Sequence, residues 1–182
     1  KNVPPHIVGR KLLDYYSIDS MLLKHAYTHL DFNHHAKQFG KFGGYAYIKT
    51  LVDLLKSEVN GNALLFDGGD TWQGSGLSFL ENGRDMVMAS NLLGVDVMTG
   101  HWEFTYGEKT FANNLNIFKG DFVAQNIFLT EEAMFEGLEP IDDDSHFQKP
   151  YVIKTVNGSR VAIIGQAFPY TPIANPTRLM PN

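Results

Sequence analysis

The sequence predicts an α/β protein in which short apolar strands alternate with helices around a largely buried sheet. Three observations carry that prediction. Ala63-Leu64-Leu65-Phe66 and Val95-Asp96-Val97-Met98-Thr99 are short apolar runs with a helical stretch between them. Each runs directly into a glycine-rich polar motif, Asp67-Gly68-Gly69-Asp70-Thr71-Trp72-Gln73-Gly74-Ser75-Gly76 in one case and Thr99-Gly100-His101-Trp102-Glu103-Phe104-Thr105-Tyr106-Gly107 in the other. Near the end of the chain, Asn157-Gly158 sits between two apolar runs, which is a strong two-residue hairpin signal.

Taken in order, residues 1–44 show no clean period, although Leu12, Leu13, Tyr15 and Tyr16 fit one short helix and Gly43-Gly44 closes the segment. From Tyr45 to Ser57 the apolar positions Ala46, Ile48, Leu51, Leu54 and Leu55 fall at helical spacing. Asn60-Gly61 turns the chain into the first strand at 63–66. Met86 to Leu93 reads as a helix stopped by Gly94, followed by the strand at 95–99. Glu108 to Phe118 reads as a helix ending near Gly120, and Phe122 to Ile127 as a third strand. Residues 130–149 are acidic and loop-like around Asp142-Asp143-Asp144. Tyr151–Val156 and Arg160–Ile164 pair across the Asn157-Gly158 turn. There is no internal repeat or low-complexity linker.

Composition narrows the function. The 182 residues are 43% hydrophobic and 19% charged, the balance of a soluble globular protein. A net charge of −5 with singly scattered basic residues excludes a nucleic-acid footprint. No run approaches the length of a membrane-spanning helix, so no membrane partner is expected. The absence of cysteine excludes thiolate metal sites, disulfides and cysteine nucleophiles, and suits either redox compartment. The chain begins at Lys1 without methionine and ends in an extended Pro181-Asn182, which reads as a mature or truncated piece of something longer.

Ligands of open α/β sheets gather at the carboxyl ends of strands. Asp70, His101, Asn126 and Gln166 all fall at or just past such ends and are expected to converge on one crevice. Carboxylate and imidazole delivered from neighbouring strands suit a hydrolytic metal site. Asp70 is either a metal ligand or part of a polar turn; glycine neighbours let backbone and ion approach closely. His101 is either a ligand or a packed histidine. Glu103 either orients a ligand from behind or caps the helix that follows. The cluster of His25, His29, His34 and His35 near Asp31 reads as a surface segment, and His146 as a solvated loop residue. Gly74-Ser75-Gly76 lacks the lysine of a phosphate-binding loop, and no nucleophile elbow occurs.

The two motifs resemble those of the calcineurin-like metallophosphoesterases, specifically the 5′-nucleotidase branch, which carries in order D-x-H, G-G-D, G-N-H-E-F-D-Y-G and later histidine motifs. Gly68-Gly69-Asp70 and Gly100 to Gly107 are similar to the second and third of these. The likeness is narrower still to the SoxB thiosulfohydrolases of bacterial sulfur oxidation, on residues 68–75, 99–107 and Gly165-Gln166-Ala167-Phe168-Pro169-Tyr170-Thr171-Pro172. This resemblance implies a layered metallophosphoesterase-like α/β/β/α sandwich, with residues 1–182 a partial N-terminal catalytic domain. It places the D-x-H motif before Lys1 and the later ligands after Asn182, since Asp31-Phe32-Asn33-His34 has the wrong spacing.

Where the nucleotidase branch has its ligand asparagine, this chain has His101; where it has the catalytic histidine and its orienting aspartate, this chain has Trp102 and Thr105. The dyad that stabilises charge on a transferring phosphoryl group is therefore absent as a pair. The resemblance implies two divalent metal ions, Mn2+ above all, with Asp70 bridging them, His101 binding one, and a metal-bound hydroxide rather than a side chain as nucleophile. Trp72, Gln73 and Trp102 would wall the pocket. The implied reaction releases sulfate from a cysteine S-thiosulfonate on a SoxYZ carrier protein in the periplasm; the alternative is a 5′-nucleotidase-like phosphoesterase. A metal-free α/β binding module is the non-enzymatic reading.

Overall fold

The computed structural model describes residues 44–181 and, before them, Asp14, Ser17, Asp19 and Lys37. Leu12, Leu13, Tyr15 and Tyr16 of the expected short helix and the histidine cluster around Asp31 lie outside the described residues. The chain forms two compact units, residues 1–47 and 48–182, and the second holds nearly everything described below.

Helix α1 (Tyr45–Glu58) matches the periodic stretch and buries Val52. Three two-residue strands follow: β1 (Phe66–Asp67), β2 (Val97–Met98) and β3 (Asp121–Phe122). They form one parallel sheet in the order β1-β2-β3, with Phe66 beside Val97 and Met98 beside Phe122. The ladder is shorter than the apolar runs predict, for reasons visible at both ends. On the amino side the Asp96 carboxylate, held by Lys56 Nζ at 2.9 Å, accepts the Leu65 amide at 2.8 Å. On the carboxyl side the backbone leaves the sheet at Gly69 and Asp70, whose φ angles are +85° and +66°.

Burial follows strand position rather than run composition. Central β2 is enclosed, with Val97 and Met98 at 2% and 1% exposure, but Phe66 on β1 is 54% exposed. The expected buried strand at 63–66 is thus an edge strand, paired on one side only among the described residues. The third expected strand, Phe122 to Ile127, begins at Asp121 and leaves the ladder after Phe122. Beyond it the Ala124 and Gln125 amides turn to the carbonyls of Lys149 and Gly165, both at 2.9 Å.

Helix α2 (Gly76–Leu80) is opened by a capping box between Ser75 and Ser78. Helix α3 (Arg84–Leu93) ends at Gly94 in the left-handed conformation, as the sequence predicts. A 3₁₀ turn (Glu103–Tyr106) leads through Gly107 into α4 (Glu108–Ile117). Trp72, Val87, Phe104, Phe111, Phe122 and Val123 form the core of this layer. The acidic stretch is more ordered than a loop: Thr130 caps a short helix α5 (Glu131–Phe135) by accepting the Ala133 amide. His146 is also not the solvated residue expected. It is buried, its Nδ1 lies 2.8 Å from Asp142 Oδ2 and its Nε2 3.1 Å from the Gln125 carbonyl. The hairpin β4 (Tyr151–Val156) and β5 (Ser159–Ile164) pairs antiparallel in the predicted register, with Asn157 and Gly158 both at positive φ. A short helix α6 (Thr171–Ala174) and a 3₁₀ turn (Thr177–Leu179) complete the described chain.

Candidate metal centre

The loops after β1 and β2 meet because glycine lets them. A Cβ on Gly69 would lie 2.7 Å from the His101 amide nitrogen and 2.8 Å from the Thr99 carbonyl oxygen. No side chain fits there, and the left-handed φ of Gly69 adds a second reason for glycine. The contact carries Asp70 to the edge of the second motif, where its Oδ2 lies 3.9 Å from His101 Nδ1. That separation is beyond a hydrogen bond. His101 Nδ1 is buried and has no hydrogen-bond partner among the described residues, although the ring as a whole is one-third exposed.

Behind this pair, Glu103 ties the loops together. It is 1% exposed, and no cation pairs with it among the described residues. Its Oε2 accepts the His101 amide at 2.6 Å, while Oε1 accepts the amides of Thr71 at 2.7 Å and Trp72 at 3.3 Å. Three main-chain donors offset the cost of burying the carboxylate. Of the two roles open to Glu103, the structure excludes the cap: α4 begins at Glu108, and Gly107 before it makes the turn with no side-chain cap bond. Asp67 braces the first loop in the same manner, accepting the Gly69 amide at 3.0 Å and the Thr71 hydroxyl at 2.8 Å. Burial holds its carboxyl above the usual aspartate range; those two hydrogen bonds offset the effect in part, and the charge of Glu103 adds to it.

The remaining candidates sort by contact. Gln73 donates its amide to Asp70 Oδ1 and so belongs to the site. Trp102 is half-buried beside it, stacked on Phe168 at 6.2 Å. Thr105 donates its hydroxyl to the Trp102 carbonyl at 2.7 Å, shaping the turn. Trp72 corrects the expectation of a pocket wall: it is wholly buried against Phe111 and Phe118, because a large ring in a loop tied down by Glu103 turns into the core. Asn126 and Gln166 do not join Asp70 and His101 directly. Asn126 spends both ends of its amide on Ala167, Nδ2 donating to the carbonyl at 2.9 Å and Oδ1 accepting the amide at 2.8 Å. Exposed Gln166 pairs with Gln125 at 2.8 Å.

Phe168 is the residue that sequence patterning misses. Its ring stacks on the His101 imidazole at 4.3 Å and 29°, and its amide donates to the Gly100 carbonyl at 2.9 Å. It lies in the 165–172 stretch that carries part of the family resemblance, but nothing in that stretch reveals its contact with His101, which is 67 residues away in the chain.

One carboxylate and one imidazole with an orphaned ring nitrogen suit Mn2+, Fe2+ or Zn2+. They are two donors, and among the described residues no three metal-capable side chains converge. The groove of about 600 Å³ lined in part by Asp121, Asp142, Lys149 and Lys154 is a different place: Asp121 begins β3, whereas Asp70 and His101 follow the ends of β1 and β2.

No family model matches the chain. Solved structures do. The sulfate thiohydrolase SoxB of Thermus thermophilus superposes over 95% of this chain and 31% of its own length, with a TM-score of 0.70 and 30% identity. A 5′-nucleotidase precursor, also from Thermus thermophilus, matches 71% of this chain and 24% of its own, with a TM-score of 0.59 and 28% identity. The calcineurin-like phosphoesterase YfkN of Bacillus subtilis matches 75% of this chain and 44% of its own, with a TM-score of 0.54 and 23% identity. The chain has the calcineurin-like phosphoesterase fold. By sequence, the protein UshA of Salmonella pullorum is 31% identical over 134 residues, which are 70% of this chain and 22% of that protein. The chain is therefore related to the metallophosphoesterase superfamily of hydrolases, and it spans less than a third of the length of UshA, SoxB and the 5′-nucleotidase.

Proposed function

We propose that this chain is part of a SoxB-type thiosulfohydrolase, a metal-dependent hydrolase that releases sulfate from a cysteine S-thiosulfonate carried on a SoxYZ protein in the periplasm. The single observation that carries the reading is the second motif, where Trp102 and Thr105 stand in place of a histidine–aspartate dyad. Trp102 packs on Phe168, and Thr105 is engaged with the Trp102 carbonyl. Neither side chain can donate a proton to a phosphoryl oxygen as an imidazole would. An apolar indole beside the Asp70–His101 pair suits instead the wall of a pocket for a sulfur substrate. The likeness to SoxB over 95% of the chain supports the same reading.

In this reading Asp70 and His101 would hold divalent metal, Mn2+ in the first instance, which would supply Lewis acidity toward the sulfonate oxygens and a water of lowered pKa. The protein's own contribution is to fix those two donors. Glu103 locks both loop backbones, Gln73 orients Asp70, and Trp102 closes one side. A 5′-nucleotidase is the competing reading, supported by the 28% identical nucleotidase structure. Assay of the intact Mn2+-loaded protein separates them. Sulfate release from the carrier thiosulfonate without hydrolysis of nucleoside monophosphates is the expected result. Brisk nucleotide hydrolysis without sulfate release would overturn it. The double variant Trp102→His, Thr105→Asp is expected to gain phosphatase activity from a baseline near zero.

A further inference from the structure

The residues from Gly165 to Thr171 are held far more firmly than a strand-to-helix connection requires. Gly165 is pressed so closely on β3's continuation that a Cβ there would lie 1.9 Å from the Val123 carbonyl oxygen. Ala167 is gripped at both its amide and its carbonyl by the Asn126 side chain. Phe168 is anchored by its own amide to Gly100, and its carbonyl accepts from the Thr171 hydroxyl at 2.7 Å. Asn126 lies on the chain that leaves β3 and Gly100 on the loop that leaves β2, so the segment is fastened to the exits of two neighbouring strands. What this clamp presents is one side chain. The Phe168 ring lies nearly flat on the His101 imidazole, with Trp102 on the same ring at 6.2 Å and Tyr170 edge-on at 5.7 Å.

An imidazole one-third exposed on a loop has rotational freedom that a metal ligand must lose on binding. His101 shows no side-chain hydrogen bond that restrains its ring among the described residues, and its Nδ1 faces the Asp70 carboxylate without bonding to it. Histidine ligands are ordinarily oriented by a hydrogen bond from the second ring nitrogen. Here the contact that restrains the ring plane is the stacking of the Phe168 ring on the imidazole at 4.3 Å and 29°. We propose that Phe168 is a positioning residue that holds the His101 imidazole with Nδ1 toward Asp70, and that Asn126 acts through Phe168 as its clamp. This rests on the reading of Asp70 and His101 as metal donors. It also gives Asn126 a role that its place at a strand end does not reveal.

Titration of the intact, metal-free protein with MnCl2 by calorimetry tests the proposal, with electron paramagnetic resonance of the bound ion as a second readout. Phe168→Leu, which keeps apolar volume and removes the ring, is expected to weaken Mn2+ binding about tenfold, within the range seen when a ligand-orienting partner is lost. Phe168→Tyr restores the ring and is expected to bind within twofold of the native protein. Asn126→Ala is expected to resemble Phe168→Leu, and supplies the same comparison if the leucine variant does not fold. His101→Ala is the reference for loss of the donor itself. Native-like affinity in Phe168→Leu or Asn126→Ala, while His101→Ala binds weakly, overturns the positioning role and leaves the metal reading standing. Native-like affinity in His101→Ala overturns the metal reading and the positioning role with it.

Discussion

Glu103 is the residue on which the site's geometry turns, because one side chain receives three backbone amides from two loops. Glu103→Gln keeps one acceptor oxygen and sets an amide nitrogen against donors. Hydrogen bonds to a charged group contribute about 1.5–3 kcal/mol each, so a loss of about 2–3 kcal/mol is expected in chemical denaturation, and more for Glu103→Ala. A loss below about 0.5 kcal/mol, no more than an ordinary surface substitution costs, would show that the bracket is not under load. Asp67 makes the opposite prediction. Its folded-state pKa is raised above 3.8, chiefly by burial, so the folded state favours the protonated form. Its stabilising contribution is whole at acid pH and is lost as pH climbs from about 3.8 through the raised folded value. Asp67→Asn keeps an acceptor for Gly69 and Thr71 without the charge. The variant is expected to gain on the native protein as pH rises from about 4 to about 7, and to lose that advantage below about pH 4. Parallel melting curves across that range decide it.

At the level of elements, the legible parts are those where a local signal and the tertiary environment agree. Gly94 ends α3 in the left-handed conformation, and Asn157-Gly158 closes the hairpin in its predicted register. The strands were legible as places and not as lengths. Asp96 reads as one polar residue inside an apolar run, but its carboxylate takes the Leu65 amide and shortens the ladder. Asp70 and His101 were legible because short strands deliver them side by side. The contacts of Phe168 and Asn126 and the buried turn of Trp72 were not, because each depends on a partner some thirty residues or more away in the chain. Gly165 shows the same limit: its place in the 165–172 stretch does not reveal that a Cβ there would lie 1.9 Å from the Val123 carbonyl oxygen. Gly165→Ala must push β5's exit away from that backbone and is expected to cost about 3 kcal/mol, the upper range for overpacking. The loss should appear in the melting curve, together with reduced protection of the Gln125 and Phe168 amides in hydrogen exchange. A native-like melting curve would mean that the hairpin shifts freely.

For the molecule as a whole, the consequence is a coupling between metal and stability. Asp70 and His101 sit on loops that leave adjacent strands of the same sheet, and both loops close on Glu103. An ion bound between those two donors stabilises only the folded arrangement, because the unfolded chain separates them by some thirty residues of flexible backbone. Binding to the native state alone adds RT ln(1 + [L]/Kd), about 2.7 kcal/mol when free metal is a hundred times Kd. Stripping metal from the intact protein with a chelator is therefore expected to lower its unfolding temperature, and Mn2+ to restore it in a concentration-dependent manner. In His101→Ala the Mn2+-dependent rise should shrink toward zero while the metal-free curve stays near that of the native protein, since the ring is part-exposed. The sign of the result discriminates. If the native protein and His101→Ala respond to Mn2+ alike, these two donors do not hold the ion, and the fold of a phosphoesterase is present here without this part of its metal chemistry.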